Sequence, residues 1–197
     1  MMKKMNICVY GAASSLINDK YKQAGIKLGE KMVERGHGLV FGGGANGMMG
    51  ALAEGVHNKD GYILGVVPKF FKEGGAEVSY KECTEYIYTD TVRERKRNME
   101  EHSNAFIISP GGIGTLDEFF EILTLKQLGR HNKAIVIYNV NGFYNELDTW
   151  INKAIEEQFI TDDCKELYKT FENADEMLEY LENYDEKDID LSKVKIR

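Results

Sequence analysis

Short apolar runs and helically spaced apolar positions take turns along this chain. The run MNICVY at 5–10, bounded by Gly11, predicts a buried strand. Residues 18–34 then place Tyr21, Ala24, Leu28 and Met32 at helical spacing and stop before Gly36. GLVFGGG predicts a second strand, residues 47–59 a helix with Met48, Leu52 and Val56 on one face, and YILGVVP a third strand. Residues 69–83 carry no clear period and are expected to form a loop. EYIYTD, a helix at 91–103, NAFIIS, a helix at 115–129, AIVIYNV and a helix at 144–158 continue the alternation. NADEMLEYLENY predicts a last helix, opened by Asn173 and Glu176 at capping-box spacing, with Met177, Leu178 and Leu181 turned inward and its acids toward solvent.

Strands separated by helices imply an α/β fold: a doubly wound parallel sheet covered on both faces, in three α/β/α layers. Pro68 and Pro110 fall where strands are expected to end, as their missing amide donor requires. With 197 residues and 43% hydrophobic composition the chain is expected to bury one core, a single domain over 1–184 followed by a charged tail at 185–197.

Charge and cysteine usage narrow the function classes. The net charge is −7, but residues 172–190 hold nine acids against Lys187, so the remainder sums to about +1 and offers no basic face for nucleic acid. Cys8, Cys83 and Cys164 and the four histidines lie in no metal-ligand or redox spacing, so neither a metal nor a disulfide framework is expected, and a reducing cytoplasm suits the thiols. Lys3 and Lys4 precede an apolar run too short for a signal peptide, and no stretch reaches 18 apolar residues, so no membrane partner is expected.

Two glycine-rich turns carry the candidate chemistry. GGGANGMMG contains G-x-G-x-x-G at Gly42, Gly44 and Gly47 between a strand and a helix, but no acid follows about 20 residues on to hold a ribose, which disfavours NAD. Contact of this turn, Gly43 and Gly44 included, with some other nucleotide stands beside a second reading in which the glycines merely permit tight packing. In SPGGIGTLDEF, Gly111, Gly112 and Gly114 let backbone amides converge ahead of a helix expected from Thr115, a phosphate cradle. Thr115 and Glu118 also have capping-box spacing, so Glu118 either caps that helix or points past a bound phosphate toward a neighbouring sugar. In the helix at 91–103, Val92 and Met99 share a face flanked by Arg95 and Lys96, inward cations that either seek an anion or pack by their stems.

Together GGGANGMMG, VRERKRNM, PGGIGTLDE and LKQLGRHNKAIVIYNVNGFY resemble the LOG (LONELY GUY) family of cytokinin riboside 5′-monophosphate phosphoribohydrolases, once widely mislabelled as lysine decarboxylases. The resemblance covers residues 5–160. It implies a Rossmann-like fold, a homodimer meeting through the helices after residues 91 and 115, and hydrolysis of the N-glycosidic bond of nucleoside 5′-monophosphates without a cofactor. By the same resemblance Arg95 and Glu118 are catalytic, while Lys96, Gly112, Ile113, Gly114, Thr115, Leu116 and Asp117 bind substrate, with Glu77 and Thr124 matching more loosely. Val92 and Leu125 stand where the family usually has methionine and tryptophan, which bears on whether the base is N6-prenylated or plain adenine, as in AMP. A non-catalytic nucleotide or cofactor carrier is the competing reading of the same fold, and the paired Arg95 and Glu118 are the feature that separates the two.

Overall fold

The computed structural model describes residues 4–74 and 78–186. Glu77 and the charged tail from residue 187 onward lie outside those residues.

Among the described residues seven strands form one fully parallel sheet: β1 (Asn6–Tyr10), β2 (Gly38–Phe41), β3 (Ile63–Pro68), β4 (Glu85–Thr89), β5 (Ala105–Ile108), β6 (Ala134–Tyr138) and β7 (Lys169–Phe171). Their order is β4-β3-β2-β1-β5-β6-β7, so successive strands leave β1 first to one side and then, from β5, to the other. This is a Rossmann-like doubly wound arrangement, and its reversal point lies between β1 and β5, where Tyr10 is in register with Ile108.

The helices are α1 (Asp19–Glu34), α2 (Gly47–His57), α3 (Lys69–Gly74), α4 (Val92–Glu101), α5 (Ile113–Gln127), α6 (Asn145–Glu156) and α7 (Ala174–Asn183). The period of two sorts the strand side chains onto opposite faces. Ile7, Val9, Leu39, Phe41 and Ile63 meet Leu28 and Met32 of α1, Leu52 and Val56 of α2, and Met177 and Leu178 of α7. Cys8, Tyr10, Val40, Leu64 and Phe106 meet Met99 of α4, Phe119 and Ile122 of α5, and Ile151 of α6. Two separate apolar clusters sandwich the sheet and fix the three layers expected from the alternation.

Several expectations need correction. The segment expected to be a loop opens with α3, where Phe70 and Phe71 stack edge to face; the element is too short for its period to show. Beyond it, Ala45 and Tyr80 amides bond to Val78 and Gly43 carbonyls, at 2.7 and 2.8 Å, tying this segment to the first glycine turn. The edge strand β7 was not expected, because three residues carry no readable alternation. The acids of α7 do not all face solvent: Asp175 pairs with Lys31 at 2.7 Å, and Glu182 meets Arg35 and the buried His37, both at 3.0 Å. Finally α5 begins at Ile113, not Thr115, with Gly112 as its N-cap. Gly114 lowers helix propensity and reads as loop, yet the first turn tolerates it because its amide has no helical partner to lose.

Candidate active site

The carboxyl ends of β1 and β5 open onto a cavity of about 320 Å³ lined by residues 11–14, Met49, Arg95, Gly112, Gly114, Thr115 and Glu118. A crevice at the reversal point of a doubly wound sheet is where such folds bind ligands.

Hydrogen bonds between loops shape its floor. Ser109 donates to the Tyr10 carbonyl through its amide (2.9 Å) and its hydroxyl (2.8 Å). The Ala12 amide donates to Pro110 O, and the Met48 amide to Ala12 O at 2.8 Å, so the loops after β5, β1 and β2 are tied in sequence. The Tyr144 hydroxyl donates to the Ser109 carbonyl at 2.8 Å. Burial pushes the Tyr144 pKa up, so the hydroxyl stays protonated and able to donate.

The cradle follows. A Cβ on Gly111 would overlap the Thr115 side chain, so the bare backbone there serves internal packing. Gly112 and Gly114 differ, since a Cβ on either would meet nothing within 4 Å. The amides of Ile113, Gly114 and Thr115 sit in the first turn of α5, where no carbonyl four residues back can accept from them, and Gly112, Gly114 and Thr115 line the cavity. With the positive end of the helix dipole behind them, these amides suit an anion.

Arg95 and Glu118 face each other at the mouth. Thr91 caps α4 and Glu94 completes a capping box, which fixes the helix start and carries Arg95 one turn in. Arg95 Nε donates to Val66 O at 3.3 Å, and Nη1 stands 3.6 Å from Glu118 Oε1, each side chain only 11% exposed. Because α5 starts at Ile113 with Gly112 as its N-cap, Glu118 belongs to the second turn and does not hold the third position of a capping box. Tyr10 and Cys8 lie buried behind the site; burial drives both pKa values up, and the Glu118 charge adds to it, so both stay protonated.

Not every residue singled out in the sequence reaches this cavity. Gly112, Gly114, Thr115, Arg95 and Glu118 line it. Ile113 projects into solvent beside it, and Leu116 packs against the second core cluster. Lys96 turns to Asp117, 3.0 Å away, and to Glu121, forming a bridge between α4 and α5 outside the cavity lining. Thr124 is exposed further along α5. Gly43 and Gly44 are buried in the turn that docks residues 78–80 and do not line the cavity. Residues 11–14 and Tyr144 carry little signal in the sequence; that of the former is a run of small residues directly after a strand. Among the described residues no cluster of three or more His, Cys, Asp or Glu side chains is placed to hold a metal, no lysine lines the cavity, and no helix is long and apolar enough to cross a membrane.

A Rossmann-like sheet with an amide cradle and a carboxylate–guanidinium pair at its reversal point has the features that suit a phosphorylated small molecule. The family described as possible lysine decarboxylase matches residues 49–181. The chain is 37% identical over 178 residues to the cytokinin riboside 5′-monophosphate phosphoribohydrolase LOG2 of Arabidopsis thaliana, covering 90% of this chain and 83% of the relative. It is 38% identical to the Arabidopsis phosphoribohydrolase LOG7, covering 91% and 82%. The chain belongs to the LOG family. Among solved structures, the molybdenum cofactor binding protein of Rippkaea orientalis shares the fold, with a TM-score of 0.67 at 19% identity over 92% of this chain and 97% of that one.

Proposed function

We propose that this protein hydrolyses the N-glycosidic bond of nucleoside 5′-monophosphates, cytokinin riboside 5′-monophosphate or AMP, releasing the free base and ribose 5-phosphate. The carrying observation is the Arg95–Glu118 pair beside an amide cradle in one cavity. The cradle binds the 5′-phosphate, and Glu118 faces the ribose. As the bond from C1′ to the base nitrogen breaks, positive charge grows on the sugar; the carboxylate stabilises it and orients the water whose oxygen joins C1′. One proton of that water leaves with the base. Arg95 pairs with Glu118 and orients it in a cleft where an isolated carboxylate would be costly.

An apolar recess of about 320 Å³, bordered by Ile17, Tyr21 and Phe143, adjoins the cavity across Ala12, Ser14 and Gly112 and supports a substrate with a sizeable apolar part. The names of the relatives favour hydrolysis over the carrier reading, which rests on a likeness of fold alone. Three free cysteines, two of them buried, support work in a reducing cytoplasm. Exposed Val92 and Ile113, at the starts of α4 and α5, support a homodimer through that face.

The test is to incubate the purified protein with a panel of nucleoside 5′-monophosphates, N6-isopentenyladenosine monophosphate and AMP among them, and to chromatograph for free base. Release of base with equimolar ribose 5-phosphate is expected; no release from any of them would overturn the reading.

A further inference from the structure

We infer that Gly42 is a positioning residue for Arg95: its bare backbone is the seat of the guanidinium, and the first glycine turn serves the site by leaving that seat open. The consequence for catalysis rests on the hydrolytic reading above; the seat itself rests on geometry alone.

Gly42 follows the last residue of β2 and is buried. A Cβ placed on it would overlap Arg95 Nη2 and stand 2.7 Å from Cζ and 3.2 Å from Nε, so the three nearest atoms all belong to one guanidinium. Conformational freedom does not explain this glycine. Its neighbour Gly43 has a φ of +77°, in the left-handed region, whereas Gly42 is absent from the positive-φ glycines. An alanine backbone is therefore permitted at 42, and what forbids the methyl is Arg95.

The guanidinium lies across the ends of β2 and β3, with Val66 O as its acceptor on one side and Glu118 on the other. Those contacts, 3.3 and 3.6 Å, are already at the long end of their range, so a shift of about 1 Å off the seat breaks at least one of them. The arginine is flexible and can move away, so the molecule keeps its fold while losing the alignment. Misplacing a reacting group by about 1 Å costs roughly 10²-fold in rate.

The experiment is a double-mutant cycle of Gly42→Ala and Arg95→Ala, read by base release from AMP and by thermal unfolding. Gly42→Ala is expected to lower kcat/KM by roughly 10–10²-fold. The double variant should be no slower than Arg95→Ala alone, because the methyl has then lost the group it displaces. In unfolding, Gly42→Ala should cost less in the Arg95→Ala background than in wild type, or nothing. Near-wild-type turnover of Gly42→Ala overturns the inference, as does a loss that multiplies with that of Arg95→Ala. If Gly42→Ala fails to fold in both backgrounds, the space at 42 is not reserved for Arg95 and the inference is likewise overturned. A wild-type protein that releases no base from AMP or from any other monophosphate of the panel would overturn the hydrolytic reading instead, while the coupling in unfolding would still report on the seat.

Discussion

The Tyr144 hydroxyl holds the Ser109 carbonyl at 2.8 Å, reaching from the segment before α6 to the strand end that feeds the cradle. Tyr144 is anchored in turn, its amide donating to the buried Asn139 side chain at 2.7 Å. Tyr144→Phe removes only the hydroxyl and leaves the Ser109 carbonyl buried and short of a donor, a loss of about 1–3 kcal/mol. The cradle should loosen, so KM for the nucleotide is expected to rise several-fold with kcat falling less. A proportionate fall in kcat with unchanged KM would show that the hydroxyl does not serve phosphate binding.

The cradle makes the phosphate a requirement. Charge-assisted bonds from amides to an anion contribute roughly 1.5–3 kcal/mol each, so two of them separate AMP from adenosine by about 10²-fold or more in kcat/KM. Comparable base release from the nucleoside and its monophosphate would contradict this.

Chelation is expected to leave turnover intact, because among the described residues the cavity offers one carboxylate beside a guanidinium and so too few donors for a metal. Activity lost in EDTA and restored by a single divalent ion would refute that.

Lys126 gives a stability signature in pH. It is 1% exposed, donates to Lys133 O and the Tyr184 hydroxyl, and burial lowers its pKa from 10.5 to about 8. The unfolded chain therefore holds this proton up to about pH 10.5 while the folded one releases it near 8, and stability rises with pH across that window. The full penalty, present below pH 8, is roughly 3 kcal/mol. Compared with Lys126→Met, wild type is expected to gain stability between pH 7 and 10 in denaturant titrations, the buried tyrosines cancelling in the difference. A pH-independent difference would rule out a depressed lysine.

Much of this was legible in the sequence, for identifiable reasons. Strands such as AIVIY and helices such as α1 declare themselves because they are long enough for their period to repeat. Helix α3 and strand β7 are too short for that. Arg95 and Glu118 were readable as charged residues at special places, but their pairing depends on the order of β2, β3 and β1 in the sheet, which no local pattern encodes. Lys96 and Arg95 are adjacent in sequence and look equivalent there. The structure parts them: one turns to the cavity, the other to Asp117 and Glu121. Likewise the glycines of the first turn look like ligand contacts, whereas Gly42 bears on Arg95 and Gly43 and Gly44 on the turn itself.

The central claim is that the Glu118 carboxylate acts on the sugar, and Glu118→Gln tests it most directly, since it removes the charge and keeps the shape. Base release from AMP and thermal unfolding are to be measured on the same preparation. Turnover is expected to fall by roughly 10²–10⁴-fold with the melting temperature changed by only a few degrees. A stably folded Glu118→Gln protein that turns over near the wild-type rate would contradict the account.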